Sequence, residues 1–370
     1  MNRLINNPIR RYDFVQKLEW FLISSVLMIL VIRTQLWLTN YPQLGGNGLH
    51  IAHLLYGGIF MLIAIWTSLI YLNRTARTIS AIIGGIGFGF FIDEVGKFIT
   101  SDNNYFFKPA AGIIYIVFIL MFLIIRELSR RQVLDPKTAL ANAVSFLPST
   151  ITGNFHKEQF LQANELLDQS DQSDPLVAQT REYFKQVRLT PSRPPSRAHL
   201  FVARTQDRIT RLTERPSFEK WVITIVIIWG ILALLGTLSI ELNFGPDDHI
   251  KNAAQAGNTG FLEAARSLSI LVSVAFVGMG VYRMAKKDHQ RAYRDFGRAL
   301  LVSIFITRVF SFIDSQFTAV FGLAIDIVLY SAIAELASRD SQTRHSFGGI
   351  RQSELPDVQN VDDGEEAQKS

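Results

Sequence analysis

Long apolar runs, separated by short polar ones, set the pattern of this chain. About eight stretches approach the roughly 20 residues that a helix needs to cross a ~30 Å hydrocarbon layer. They are 18–38, 48–72, 79–99, 108–126, 219–240, 263–283, 297–316 and 318–338. The second, fourth and fifth are nearly free of charge, whereas glycines or charges interrupt the third, seventh and eighth. The fold expected is all-α: a polytopic integral membrane protein with about eight transmembrane helices.

Residues 127–218 break this pattern. They are polar, with apolar positions at a helical period, as in Ala139, Leu140 and Val144, and again in Phe160, Leu161, Leu166 and Leu167. The spacing predicts about three or four amphipathic helices. Asp174-Pro175 marks a break between two of them, and Pro191 to Arg197 reads as a basic, proline-rich linker. The end of the chain, 340–370, is acidic and is expected to be a disordered tail.

The two apolar blocks look like copies. Phe91-Ile92-Asp93 recurs as Phe312-Ile313-Asp314, Glu127-Leu128 recurs as Glu335-Leu336, and Trp20 and Trp221 open the two blocks. Residues 1–126 and 219–339 are therefore expected to be two parallel four-helix repeats. The insert of 127–218 joins them.

Composition adds class and exclusions. The chain of 370 residues is 48% hydrophobic, too apolar for an ordinary soluble protein of this size. It contains no cysteine, which excludes disulfides, thiolate metal sites and cysteine nucleophiles. The first apolar run follows a polar, arginine-containing stretch and lacks a small-residue cleavage site, so it is expected to stay as a helix rather than leave as a signal peptide. The net charge of +5 is sorted by loop and forms no basic domain, so no nucleic-acid partner is expected. Arg3, Arg10, Arg11 and Lys17 precede the first run; Arg74 and Arg77, Arg126 to Lys137, and Arg283 to Arg294 lie in alternate loops. The positive-inside rule then places both termini and the insert in the cytoplasm of a bacterial-type inner membrane.

Against that apolar background, the charges inside the spans carry the candidate chemistry. The third run ends Gly84-Gly-Ile-Gly-Phe-Gly-Phe-Phe-Ile-Asp93-Glu94-Val-Gly-Lys97. Each ionised group in hydrocarbon costs at least about 2.5–3.5 kcal/mol on insertion scales, so such a cluster needs a partner or a use. The topology puts it in the outer third of its helix, level with His50 and His53 at the start of the second run and with Arg33 in the first. Gly85 and Gly89 share a helical face with Asp93, and Gly57 and Gly58 are candidates for the surface opposite them. In the second block, Arg308 and Asp326 lie at equal distances from a turn near residue 317 and are predicted to pair, with Asp314 nearby.

Three readings fit these residues. Asp93 and Lys97 can form an i, i+4 pair with Lys97 snorkelling outward, which gives a purely structural role. Alternatively, Asp93, Glu94, Lys97, His50, His53, Arg33, Arg308, Asp314 and Asp326 line an outward-facing polar cavity that binds or passes a small ion or solute. That is the function expected, with no cofactor and with the lipid bilayer as surroundings. The third reading is a metal site of His50, His53 and Asp93, holding a divalent ion such as zinc with Glu94 as general base, in an intramembrane hydrolase. A sensor or scaffold acting through a cytoplasmic protein partner of 127–218 is a further alternative.

Overall fold

A computed structural model describes residues 9–39, 53–101, 107–130, 134–190, 211, 213, 215, 217–243 and 259–353. Every regular element among them is a helix. Seven stretches are long and apolar enough to cross a bilayer, the last of them the 52 residues His289–Asp340. The chain is an all-α, multi-pass membrane protein. Its surface agrees with this. On α2 (His53–Ile70) only Gly57 and Ala64 are buried, while Leu55, Ile65, Trp66 and Leu69 stand exposed. In water such a face would be an aggregation patch; hydrocarbon removes that penalty.

The chain divides into two compact units, Met1–Gln206 with Ser311–Ala319, and Asp207–Phe310 with Val320–Ser370. In the first, α1 (Phe14–Leu38), α2, α3 (Arg74–Asp93), the short α4 (Val95–Ile99) and α5 (Lys108–Arg130) form the membrane part. Helix α3 packs along both α1 and α2, and its glycines are what allow this. A Cβ at Gly85 would collide with Ser24 and with the Phe21 carbonyl of α1, and one at Gly89 would stand 2.7 Å from the Ser25 carbonyl. Ser24 and Ser25 donate their hydroxyls to the Trp20 and Phe21 carbonyls of their own helix, so the close contact strands no polar group.

On the other side of α3, a Cβ at Gly87 would lie 2.7 Å from the Gly57 carbonyl of α2 and 2.8 Å from the Met61 amide nitrogen. The surface facing Gly85 and Gly89 is therefore α1, not the Gly57-Gly58 pair expected; Gly57 opposes Gly87, and Gly58 has open space. Gly87→Val should cost about 1–3 kcal/mol, the usual range for overpacking, and Gly58→Val close to nothing. Thermal unfolding of the two purified variants checks the difference.

The insert follows as α6 (Pro136–Val144), α7 (Leu147–Ile151), α8 (Lys157–Asp168) and α9 (Pro175–Gln186). Two of these start where proline chemistry predicts. Asp135 and Asp174 cap with their carboxylates, accepting from the Thr138 and Leu176 amides, and each is followed by a proline at the first helical position. Phe146, Phe155, Phe184, Leu167 and Ala163 are fully buried and make a core that belongs to the insert itself.

The insert is joined to the start of α1 and of α3. The Tyr12 amide donates to the Asn142 side-chain oxygen at 3.0 Å, and the Asn142 amide group donates to the Arg10 carbonyl at 2.8 Å. Arg74 lies 3.2 Å from the centre of the Phe146 ring and donates to Ser145 at 3.0 Å and to the Tyr12 hydroxyl. A desolvated cation on an aromatic face is worth about 2 kcal/mol. Arg74→Ala should therefore speed hydrogen exchange of the Tyr12 amide by tenfold or more, at about 1.4 kcal/mol per factor of ten, and leave the Leu167 amide in the insert core unchanged.

The second unit contains α10 (Phe218–Asn243), α11 (Thr259–Ala285), α12 (His289–Val302), a π-helical turn at Ser303–Thr307, the start of α13 (Arg308–Ser315) and, after a 3₁₀ turn at Gln316–Thr318, α14 (Ala319–Ser353). Phe296, Ala299 and Leu300 of α12 form its core with Val226, Val277 and Ile333. The chain reverses direction near Gln316, whose φ of 52° lies in the left-handed region. The proof is the bond between Arg308 and Asp326, 18 residues apart; in one straight helix that separation is about 27 Å at 1.5 Å per residue. Helix α14 runs on to Ser353, so the first part of the expected tail is helical; residues from 354 onward lie outside those described.

Candidate functional site

Successive positions on a helix point about 100° apart, and at the end of α3 this sends two acids to two different neighbours. Asp93 faces α1. Its carboxylate accepts from Arg33 Nε at 2.7 Å, and its carbonyl accepts from the same guanidinium at 3.2 Å. Arg33 also lies over the Phe317 ring, 4.4 Å from its centre. Glu94 faces α2. Its Oε1 accepts from the His53 backbone amide at 2.8 Å, lies 3.3 Å from His53 Nδ1, and takes Lys97 Nζ at 3.2 Å.

The sequence predicted one helix over 79–99. Instead α3 stops at Asp93, Glu94 adopts φ −90°, ψ 8°, and α4 resumes at Val95. The break coincides with the contacts Glu94 makes. Its carboxylate closes over the first amide of α2, one of the orphan donors that every helix start leaves, while Lys97 turns toward it from the next helical turn. Asp93 draws the Arg33 guanidinium from another helix, α1.

Burial separates the two acids from the bases. Asp93 is 1% exposed and Glu94 0%, whereas the His53 and Lys97 side chains are each 19% exposed. The Glu94 Oε2 atom is buried and has no hydrogen-bond partner among the described residues. Leaving one side of a buried carboxylate unsatisfied costs about 1–3 kcal/mol or more. Phe90 walls this pocket, stacked 6.4 Å from His53 and 5.8 Å from Phe60.

His50 lies outside the described residues. Among those described, no group of three or more histidine, aspartate and glutamate side chains is placed to share a metal ion. His53 faces Glu94, and Asp93, the carboxylate expected in a zinc site, is bonded to Arg33.

The second unit holds a separate network. Asp326 is fully buried on α14 and accepts from Arg308 Nε at 2.7 Å, Arg308 Nη2 at 2.9 Å, Ser303 Oγ at 2.7 Å and Trp229 Nε1 at 3.1 Å. The pairing of Arg308 with Asp326 expected from their equal depth is present. A Cβ at Gly322 would strike the Arg308 guanidinium, so glycine there opens the path across α14. Asp314 is exposed, unlike Asp93, so the Phe-Ile-Asp match does not carry over to environment.

No family model, no curated protein and no solved structure matches this chain. Its chemistry has to be read from its own geometry.

Sequence reading missed several buried polar groups. Trp229 and Ser303 looked like ordinary apolar-run residues, and nothing in spacing alone aims them at Asp326. Asp295 is fully buried and holds Arg283 and Arg298, the latter at 3.2 Å. In sequence Arg283 marks only topology. An acid flanked by basic residues at i−12 and i+3 was the available signal.

Proposed function

We propose that this protein passes a small cation, the proton included, through its membrane domain, with Glu94 as the group that takes it up. The observation that carries this reading is the fully buried Glu94 carboxylate with Oε2 unpartnered among the described residues. The other buried acids, Asp13, Asp93, Asp295 and Asp326, each hold at least one arginine. Asp93 with Arg33 and Asp326 with Arg308 are charge-balanced pairs, suited to fixing helices. Glu94 shares its single lysine through Oε1 and leaves a carboxylate oxygen that a proton or a bare cation would satisfy. The partly exposed His53 and Lys97 connect it with the surface, as an outward-facing polar cavity requires.

In the finer picture the reversal at Gln316 gives eight crossings. These form two parallel four-helix repeats, with both termini and the insert on the cytoplasmic side, and the loop charge asymmetry supports that orientation. In each unit the second helix of the repeat packs along the third, a likeness that supports duplication. The test is flux. Protein reconstituted into vesicles should carry protons, sodium or potassium down a gradient, and Glu94→Gln should reduce the rate to that of empty vesicles.

A second reading, a membrane sensor acting through the insert, is favoured by one observation. Helix α3 carries the Asp93 and Glu94 cluster at one end and Arg74, clamped to the insert, at the other, about 28 Å away at 1.5 Å per residue. In that reading the cation bound at Glu94 is the stimulus rather than the cargo.

A further inference from the structure

The junction between the insert and the membrane helices gathers more positive charge than its one acid can balance. Asp13 accepts from Arg11 at 2.9 Å and has Lys17 at 3.6 Å. Lys17 also donates to Thr78 on α3 at 2.8 Å. Arg74 and Arg77 follow on α3, and Arg77 stands within electrostatic reach of Arg11, Arg74 and Asp13. Four cations therefore share one carboxylate. Burial alone would push the Asp13 carboxyl up, yet the Arg11 hydrogen bond and the charges of Arg11, Lys17 and Arg74 outweigh it and hold it below its usual value.

The donors are not used up by the protein. Arg77 gives one Nη hydrogen to the Leu72 carbonyl at 2.8 Å, but the Nε atoms of both Arg77 and Arg74 are buried without a hydrogen-bond partner among the described residues. Asn73, the residue before α3, makes no side-chain cap to that helix, so no carboxamide oxygen occupies the positive end of the helix dipole. Like charges at i and i+3 on one face repel, and Arg74 with Arg77 is such a pair.

We infer that this cluster is a binding site for a phosphate group, held by Arg77, Lys17 and Arg74 at the N-terminal end of α3. A phosphate presents its oxygens tetrahedrally and carries up to two negative charges, which suits several cations converging from different directions. The group belongs either to an anionic lipid headgroup in the adjacent leaflet or to free phosphate. Because Arg74 also holds Tyr12 and Phe146, occupancy of the site would bear directly on how firmly the insert is docked. The inference does not depend on the cation reading at Glu94, which lies at the other end of α3.

The full chain in detergent, exchanged with phosphatidylglycerol and phosphatidylcholine and weighed by native mass spectrometry, tests the lipid source. Thermal unfolding of lipid-stripped protein in inorganic phosphate against chloride at equal ionic strength tests the free ion. Preferential retention of phosphatidylglycerol, lowered about fivefold in Arg77→Gln as expected for one juxtamembrane cation, supports the headgroup. Stabilisation by inorganic phosphate in wild type but not in Arg77→Gln supports free phosphate. Arg126→Gln, an exposed arginine near the end of α5, is the control for general charge. If neither phosphate source separates wild type from Arg77→Gln, or if Arg126→Gln loses as much, the site does not exist. Should Arg77→Gln fail to fold, Lys17→Gln serves with the same outcomes.

Discussion

Asp326→Ala should destabilise the membrane domain by about 3–5 kcal/mol, the range for stranding one partner of a buried ion pair. The carboxylate meets four donors, but those bonds are not the main term. Hydrogen bonds between membrane helices average about 0.6 kcal/mol each, so Trp229→Phe, which removes one donor and keeps the ring, should cost about that much. What makes Asp326→Ala severe is the guanidinium left behind. Arg308 has its Nε and Nη2 on Asp326 and its path past α14 defined by Gly322, and a bare arginine in hydrocarbon costs about 2.5–3.5 kcal/mol even on the mildest scale. The double variant Asp326→Leu with Arg308→Met should recover most of the loss, because it strands no charge. Unfolding midpoints of the three variants in detergent, followed by tryptophan fluorescence, separate these outcomes.

Glu94→Gln should behave in the opposite way: stability equal to or above wild type, and transport lost. A glutamine oxygen still accepts from the His53 amide at the position of Oε1, so the start of α2 stays capped. The substitution removes a buried negative charge whose second oxygen lacks a partner, at the expense of the Lys97 contact, which is partly exposed and correspondingly weak. Glu94→Ala differs. It uncaps α2 and leaves a void, and should cost about 1–3 kcal/mol through the unsatisfied amide. A stable Glu94→Gln beside a weakened Glu94→Ala would show that the acid's charge is retained for something other than folding.

The apolar runs and the amphipathic insert were legible because each is a local pattern: about 20 apolar residues suffice for a span, and Asp-Pro marks a helix start regardless of tertiary context. The pairing of Arg308 with Asp326 was also legible, since two charges flanking a tight turn have few other places to go. Partners of Asp93 and Glu94 were not. Which face of α3 meets α1 and which meets α2 depends on glycines at 85, 87 and 89 that read identically in sequence yet face different helices. The break at Glu94 was invisible for a related reason, because no proline marks it and the bond from Glu94 to the His53 amide joins residues 41 positions apart. The clamp of Arg74 onto Phe146 and Tyr12 joins residues 62 to 72 positions apart, and in sequence Arg74 resembled any arginine on the positive side of a membrane.

The decisive measurement is cation flux into vesicles holding equal amounts of folded wild-type and Glu94→Gln protein. A cation-specific flux in the wild type that falls to the empty-vesicle rate in Glu94→Gln is the predicted result. Equal flux in both proteins, or none from wild type under any proton, sodium or potassium gradient, would contradict the assignment of Glu94 as the group that takes up the ion.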